Sequence, residues 1–351
     1  MENTIAKAVT NNKGIFCSRL PSKHNVSASS PIAAILLSLV MSVAQTTAAN
    51  ETLSREDGQI RELDLALSPQ AKANGQDSSS SFVDRFVTGL KGWLYPAKCL
   101  QIPSNTIELG AVSATDWQQW FGSHKVNSIG GIEFLELGQD QDDYFLRQEL
   151  IPSDKGSPRV NLRAKLKAKR TYRLSQRIFL EPGFDWGRKN QGGKLGFGFG
   201  GGTAPTGGQI KPDGFTARFM WRGNGDDSAH IAVYSYAADR SQNIPYGDDH
   251  PLTGFNVPVG EWFTLVMEVE TNSDVDSADG SLKAWANGKQ LVELNDIHWQ
   301  SEGKRPVIQQ LMFSTFYGGA SIDWAPNSPT HIRFTDVCWA PVVEGYSAIE
   351  P

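Results

Sequence analysis

From Lys194 to Trp339, apolar and polar positions alternate in short runs, so that successive side chains point to opposite faces. The clear runs are Lys194–Phe199, Phe215–Trp221, His230–Tyr236, Trp262–Thr271, Ser281–Ala286, Gln290–Leu294, Gln309–Phe316 and His331–Trp339. A period of two over such lengths predicts strands. Turn signals separate them: "PTGG", "GNGD", "DDHPLTG", "SADG" and "NGK". "ANGKQ" lies between two alternating runs and predicts a hairpin. Helical spacing is confined to short stretches such as "SFVDRFVTGLKGWL", with Phe82, Phe86, Val87 and Leu90. Many antiparallel strands in one domain predict an all-β fold, an antiparallel β-sandwich of the jelly-roll type over residues 99–345.

Sorting three of these strands by face gives an unusual result. In "GGKLGFGFGG", Leu195, Phe197 and Phe199 share one side, and Lys194, Gly196, Gly198 and Gly200 share the other. In "GFTARFMWR", Thr216 and Arg218 oppose Phe215, Ala217, Phe219 and Trp221. In "HIAVYSY", Tyr234 and Tyr236 oppose Ile231, Val233 and Ser235. If the three strands are neighbours, their polar faces pool Lys194, Thr216, Arg218, Tyr234 and Tyr236 into one site. The glycines then predict a hollow where a chain-like ligand lies close to backbone.

Composition narrows the setting. The chain has 351 residues, 39% of them hydrophobic, with 34 glycines and 10 tryptophans, which suits a large β domain with many turns. A net charge of −5 argues against a nucleic-acid binder but leaves room for a local basic groove. Residues 1–30 are polar and basic, and the apolar run Pro31–Ala44 is short for a membrane span. Small residues after it, in "QTTAAN", fit a cleavage site, so 1–49 reads as a signal segment. Residues 50–98 read as a polar linker carrying the short helix. The mature protein is then expected to be secreted or periplasmic, a monomer, and without stable membrane insertion. Of three cysteines, Cys17 lies in the segment expected to be removed, leaving Cys99 and Cys338 as a disulfide candidate. Two separate buried thiols are the alternative. No metal is expected, because the six histidines are scattered and no zinc-type spacing occurs.

Two cations beside two phenols suit one chemistry. The C5 proton of a uronic acid is a poor acid, because its removal puts charge beside a carboxylate. A cation on that carboxylate stabilises the enolate-like transition state. A tyrosine near cations is expected to have a lowered pKa and to act as the base, while the same or a neighbouring phenol protonates the leaving oxygen. The outcome is metal-free β-elimination with no cofactor. An inert carbohydrate-binding, lectin-like sandwich is the competing reading of the same faces.

"GGKLGFGFGG", "DGFTARFMWR", "VYSY", "DGSLKAWANGKQL" and "MFSTFYGGASIDWAP" occur in that order, and they resemble polysaccharide lyase family 14 over roughly Arg147–Trp339. That family holds alginate lyases of molluscs and glucuronate-cleaving lyases of algal viruses. The resemblance implies a jelly roll with a cleft across one sheet, acting on an acidic polysaccharide of the alginate or glucuronan type. It implies that Lys194 neutralises the carboxylate, that Thr216 and Arg218 hold the same sugar, and that Tyr234 and Tyr236 are base and acid. Threonine at 216 departs from the family's serine. Residues Cys99–Leu146 match nothing in the family pattern.

Other features carry less. Glu133 and Glu136 are three apart and would face opposite ways on a strand, which does not suit a glycosidase pair. "NSDVDSADG" reads as a solvated loop, and His230 and His250 as ordinary hydrogen-bonded residues. Trp221 and Trp262 are expected to pack inward, and Trp324 to sit near the cleft.

Overall fold

The computed structural model describes residues 95–102, 109–122, 124–140, 143–188, 192–209, 211–225, 227–240, 246–319 and 321–351. The signal segment, most of the linker and the predicted helix Ser81–Leu94 lie outside the described residues. Those described fall within the compact unit Gln76–Pro351.

Sixteen strands follow one another along the described chain: β1 (Lys98–Cys99), β2 (Gly110–Ala111), β3 (Val126–Gly130), β4 (Leu135–Asp140), β5 (Asp143–Leu150), β6 (Val160–Lys169), β7 (Thr171–Leu180), β8 (Gly193–Gly202), β9 (Gly214–Gly223), β10 (Ala229–Tyr236), β11 (Asp248–Pro251), β12 (Trp262–Glu270), β13 (Gly280–Ala286), β14 (Lys289–Ile297), β15 (Ile308–Tyr317) and β16 (Thr330–Pro341). They form two antiparallel sheets. One runs β14-β13-β12-β7-β16-β5-β4-β2, with β1 also on β16; the other runs β11-β10-β9-β8-β15-β6-β3. The β-sandwich expected from alternation is thus the fold observed, and β8, β9 and β10 are adjacent in the second sheet.

The core lies between the sheets, where each strand's apolar side meets the other's. Leu195, Phe197, Phe199, Phe215, Phe219, Ile231 and Val233 come from one sheet, and Leu174, Ile178, Phe263, Leu265, Ile332 and Phe334 from the other. The strands β6 and β7 are absent from the clear runs because lysines and arginines fill their outer faces. Their inner faces still alternate as Val160, Leu162, Ala164, Leu166 and Tyr172, Leu174, Ile178, Leu180. A short helix, α1 (Ala114–Trp120), was also not anticipated. Ser113 caps it reciprocally with Asp116, and it drops Trp117 and Trp120 into the core. Asn287 and Gly288 close the β13–β14 hairpin where "ANGKQ" predicts one.

Trp221 is buried in the core, as expected. Trp262 is not: it pairs with Phe179 on the outer face of the larger sheet, 5.3 Å between ring centroids, with Arg177 5.3 Å from its ring. Its neighbour Phe263 takes the inward position instead. Cys99 and Cys338 face each other across β1 and β16 and are bonded, tying the start of the described chain to its last long strand.

Candidate active site

The outer face of the smaller sheet carries a cleft of about 1020 Å³. It crosses the strands from β11 to β6. Lys194, Arg218, Tyr234 and Tyr236 all line it. The register explains why they converge: Arg218 pairs with Tyr234, Thr216 with Tyr236, and Lys194 with Met220. Met220, Tyr234 and Tyr236 pack as a small cluster separate from the main core.

The electrostatics of the group are dominated by burial. Lys194 is only 8% exposed; its Nζ donates to the Met220 sulfur and lies 3.5 Å from the centroid of the Tyr234 ring. Burial, then the nearby Arg218 and Arg222 guanidinium groups, push its amine well below the usual lysine range, and Asp249 offsets only part of this. Arg218 is 4% exposed. No carboxylate pairs with it among the described residues, and its Nε finds no hydrogen-bond partner there. Desolvation pushes it down to about 10, so it stays charged at neutral pH.

The tyrosines form a pair, with Tyr234 Oη donating to Tyr236 Oη at 3.5 Å. Each phenol oxygen also accepts a backbone N–H, from Gly247 for Tyr234 and from Gly208 for Tyr236, both at 2.9 Å. The expected lowering of the tyrosine pKa does not hold for Tyr234. Burial and the hydrogen bond with Tyr236 push it up, and the Gly247 N–H and then Arg222, 5.4 Å from its ring, offset only part of that.

Three residues expected to touch the sugar do other work. Gly196 does not face the cleft. It sits in a bulge of β8 with φ +71, and a Cβ there would strike the Gln176 amide and the Phe334 ring in the core. Gly198 does lie on the cleft side, but Arg218 covers it: a Cβ there would be 3.0 Å from the Arg218 Cγ. The chain that comes close to these glycines is therefore the protein's own. Thr216 is fully buried and donates to the Pro205 carbonyl, pinning the loop whose Gly208 N–H holds Tyr236.

The cleft also contains side chains that the strand-by-strand sorting did not single out. Arg159 donates to the Gly319 carbonyl at 2.7 Å and lies 5.0 Å from the Phe316 ring. Arg163 and Asn161 extend the site onto β6, and Arg222 pairs with Asp249 at 2.9 Å. The alternation of "VNLRAK" places Asn161 and Arg163 on one face and was the signal available for them. Trp324 lines the cleft, as expected. An acidic chain thus carries a cationic groove. Among the described residues, no group of three or more His, Cys, Asp or Glu side chains is arranged to hold a metal. Glu133 and Glu136 lie away from the cleft, and Glu136 pairs with Arg147.

Cationic and phenolic side chains thus line a cleft across one sheet of a two-sheet β-sandwich. The chain belongs to polysaccharide lyase family 14: residues 153–337 match the family's sequence profile, described as Polysaccharide lyase 14. It is a polysaccharide lyase. An alginate lyase solved in complex with alginate trisaccharide superposes with a TM-score of 0.60 at 21% identity, covering 70% of this chain and 98% of that one. A Chlorella virus alginate lyase gives 0.52 at 19% identity, covering 68% and 100%. The marine alginate lyase of Aplysia kurodai gives 0.53 at 17% identity, covering 66% and 97%. These likenesses show the shared fold. No curated protein matches the chain in sequence.

Proposed function

We propose that this lyase cleaves a polyuronate by β-elimination, using side chains alone, in an exported form. One observation carries the reading. A buried, charged Arg218 has no carboxylate partner among the described residues and stands beside a lysine whose amine is held well below its ordinary range. A buried charge without a partner is costly, and a substrate carboxylate would supply one. The three alginate lyases of like fold support the same substrate class.

The pKa directions redistribute the roles expected from sequence. Arg218 keeps its proton, so it is the group that neutralises the uronate carboxylate, with a fork that fits it in two bonds. Lys194 loses its proton more readily than any ordinary lysine, so its amine is the base that takes the C5 proton. The C4–O glycosidic bond then breaks as the C4=C5 double bond forms. A phenol of the Tyr234–Tyr236 pair gives its proton to the departing oxygen; the upward push on Tyr234 keeps that proton in place beforehand. The proton on Lys194 afterwards returns to the phenolate, which restores both groups. Arg159, Arg163 and Arg222 offer positive charge to the carboxylates of neighbouring sugars along the groove.

Export is supported by the Cys99–Cys338 bond, which belongs to oxidising compartments, and by the apolar run followed by small residues before Asn50. The activity test is incubation with polymannuronate, polyguluronate and polyglucuronate. Elimination gives product ends that absorb in the ultraviolet and are lighter by one water than hydrolysis products. Lys194→Ala, and Tyr234→Phe combined with Tyr236→Phe, should abolish that signal while leaving a folded protein. Reducing ends without the chromophore would refute elimination. Full rates in both variants would refute the residue roles.

A further inference from the structure

A straight β8 would put Lys194 in the wrong place. Gly198 pairs with Arg218 and Gly200 with Thr216, and that register carried backwards would set Lys194 opposite Arg222. Lys194 pairs instead with Met220. The residues between Lys194 and Gly198 absorb the slack as a bulge, and so carry the lysine two positions along β9. At strand rise this is about 7 Å, towards Arg218 and Tyr234.

The bulge frees backbone groups that a buried strand cannot leave unpaired. The Gly196 N–H donates to Thr315 Oγ1 at 2.9 Å. The Phe197 N–H donates to Gln176 Oε1 at 2.9 Å, and Gln176 Nε2 donates back to the Phe197 carbonyl at 3.2 Å. The carbonyl of Thr315 in turn accepts from Gln148 Nε2 at 2.8 Å. Gln148 and Gln176 belong to β5 and β7 of the opposite sheet, and both are fully buried. Gln176 is the one polar residue on an inner face otherwise made of Tyr172, Leu174, Ile178 and Leu180. A core amide costs free energy unless bonded; Gln176 spends a bond from each end on the strand bearing Lys194, and Gln148 spends its amide N–H on the strand bearing Thr315, while its Oε1 finds no partner among the described residues.

We propose that Gln176, Thr315 and Gln148 are positioning residues for Lys194: they reach through the core to hold the β8 bulge, and the bulge sets the lysine over Tyr234. The proposal rests on Lys194 being the base. A misplaced base slows the chemical step while leaving the Arg218 side of substrate binding intact.

The test measures kcat, KM and thermal midpoint on a polyuronate for Thr315→Val, Thr315→Ser, Gln176→Leu and a control, Leu282→Ala, which opens a cavity in the core away from β8. Thr315→Val and Gln176→Leu are expected to lose about a hundredfold in kcat with KM within about twofold. Thr315→Ser keeps the acceptor oxygen and should stay within about threefold of the parent. Leu282→Ala should lose as much thermal stability with kcat unchanged. The proposal is overturned if Thr315→Val keeps its kcat, if Thr315→Ser falls as far as Thr315→Val, or if Leu282→Ala loses kcat as well. Should Gln176→Leu not fold, the Thr315 pair decides alone. Lys194→Ala separates the two levels. If it retains full rate, the assignment of the base fails and takes this proposal with it. If it is inactive while Thr315→Val is not, only the positioning role fails.

Discussion

Replacing Arg218 with methionine should stabilise the protein while destroying its activity. The guanidinium is 4% exposed and unpaired by any carboxylate among the described residues. Its pKa falls from 12.5 to about 10, with burial the largest cause. At 1.36 kcal/mol per unit, that depression corresponds to roughly 3 kcal/mol of unfavourable charge burial. The cost is present at every pH below about 10, because the group is charged there in both folded and unfolded chains. Methionine keeps an aliphatic stem over Gly198 and removes the charge. Some packing by the guanidinium is lost, so the net gain should be about 1–2 kcal/mol. For a domain of this size the thermal midpoint should rise by roughly 2–6 °C. The catalytic effect has the opposite sign. A preorganised donor to the developing charge contributes about 3–4 kcal/mol, so kcat/KM should fall by about 10²–10³. Calorimetry and initial rates of ultraviolet absorbance read the two effects on one preparation. A lower midpoint would make Arg218 a structural residue. Activity within about tenfold of the parent would remove it from the carboxylate site.

The pH dependence follows from the groups already described. Below the depressed pKa of Lys194 the amine is protonated and cannot accept, so kcat/KM should rise with pH through a range well under that of an ordinary lysine; activity falling as pH rises through neutrality would contradict this. The alkaline fall should set in near pH 10, where Arg218 gives up the charge that holds the carboxylate, before the Tyr234 phenol, which is pushed higher, ionises. On the other sheet, burial would raise Glu181, but bonds from Arg147 at 2.8 Å and Arg333 at 2.7 Å bring it down to about 2. A depressed carboxylate stabilises above its unfolded pKa, so Glu181→Gln should cost about 1–2 kcal/mol at pH 7, with the difference vanishing as pH falls towards 2; denaturant melts at several pH values check it. Reducing the Cys99–Cys338 bond should lower stability by about 3–5 kcal/mol while leaving kcat unchanged at temperatures where the chain is folded.

The alternation that sorts β8, β9 and β10 is legible because each buries one face completely, so a register slip would expose Phe197, Phe219 or Val233. That is enough to place Lys194, Arg218, Tyr234 and Tyr236 on one surface. It is not enough to see the bulge, because periodicity treats Gly196 as one more cleft-facing glycine, whereas its φ of +71 turns the missing side chain towards Gln176. The same limit hid Gln148 and Gln176, which read as polar interruptions until the opposite sheet's freed backbone groups are known. Hydropathy alone sends Trp262 inward, whereas an arginine over its ring and a tilted phenylalanine beside it hold it on an outer face. The Tyr234 shift runs opposite to the direction its charged neighbours alone imply, for a related reason. Charge is written in the sequence, but desolvation depends on how deeply the packed sheet buries the ring.

The arrangement over β8, β9 and β10 is tested most directly by a crystal structure of the Tyr236→Phe variant soaked with a uronate oligomer. One sugar carboxylate should lie in hydrogen-bond contact with the Arg218 guanidinium, with the C5–H of that sugar facing Lys194 Nζ and its glycosidic oxygen beside the Tyr234–Phe pair. A chain bound with its carboxylates turned to solvent, or with C5 directed away from the lysine, would contradict the account.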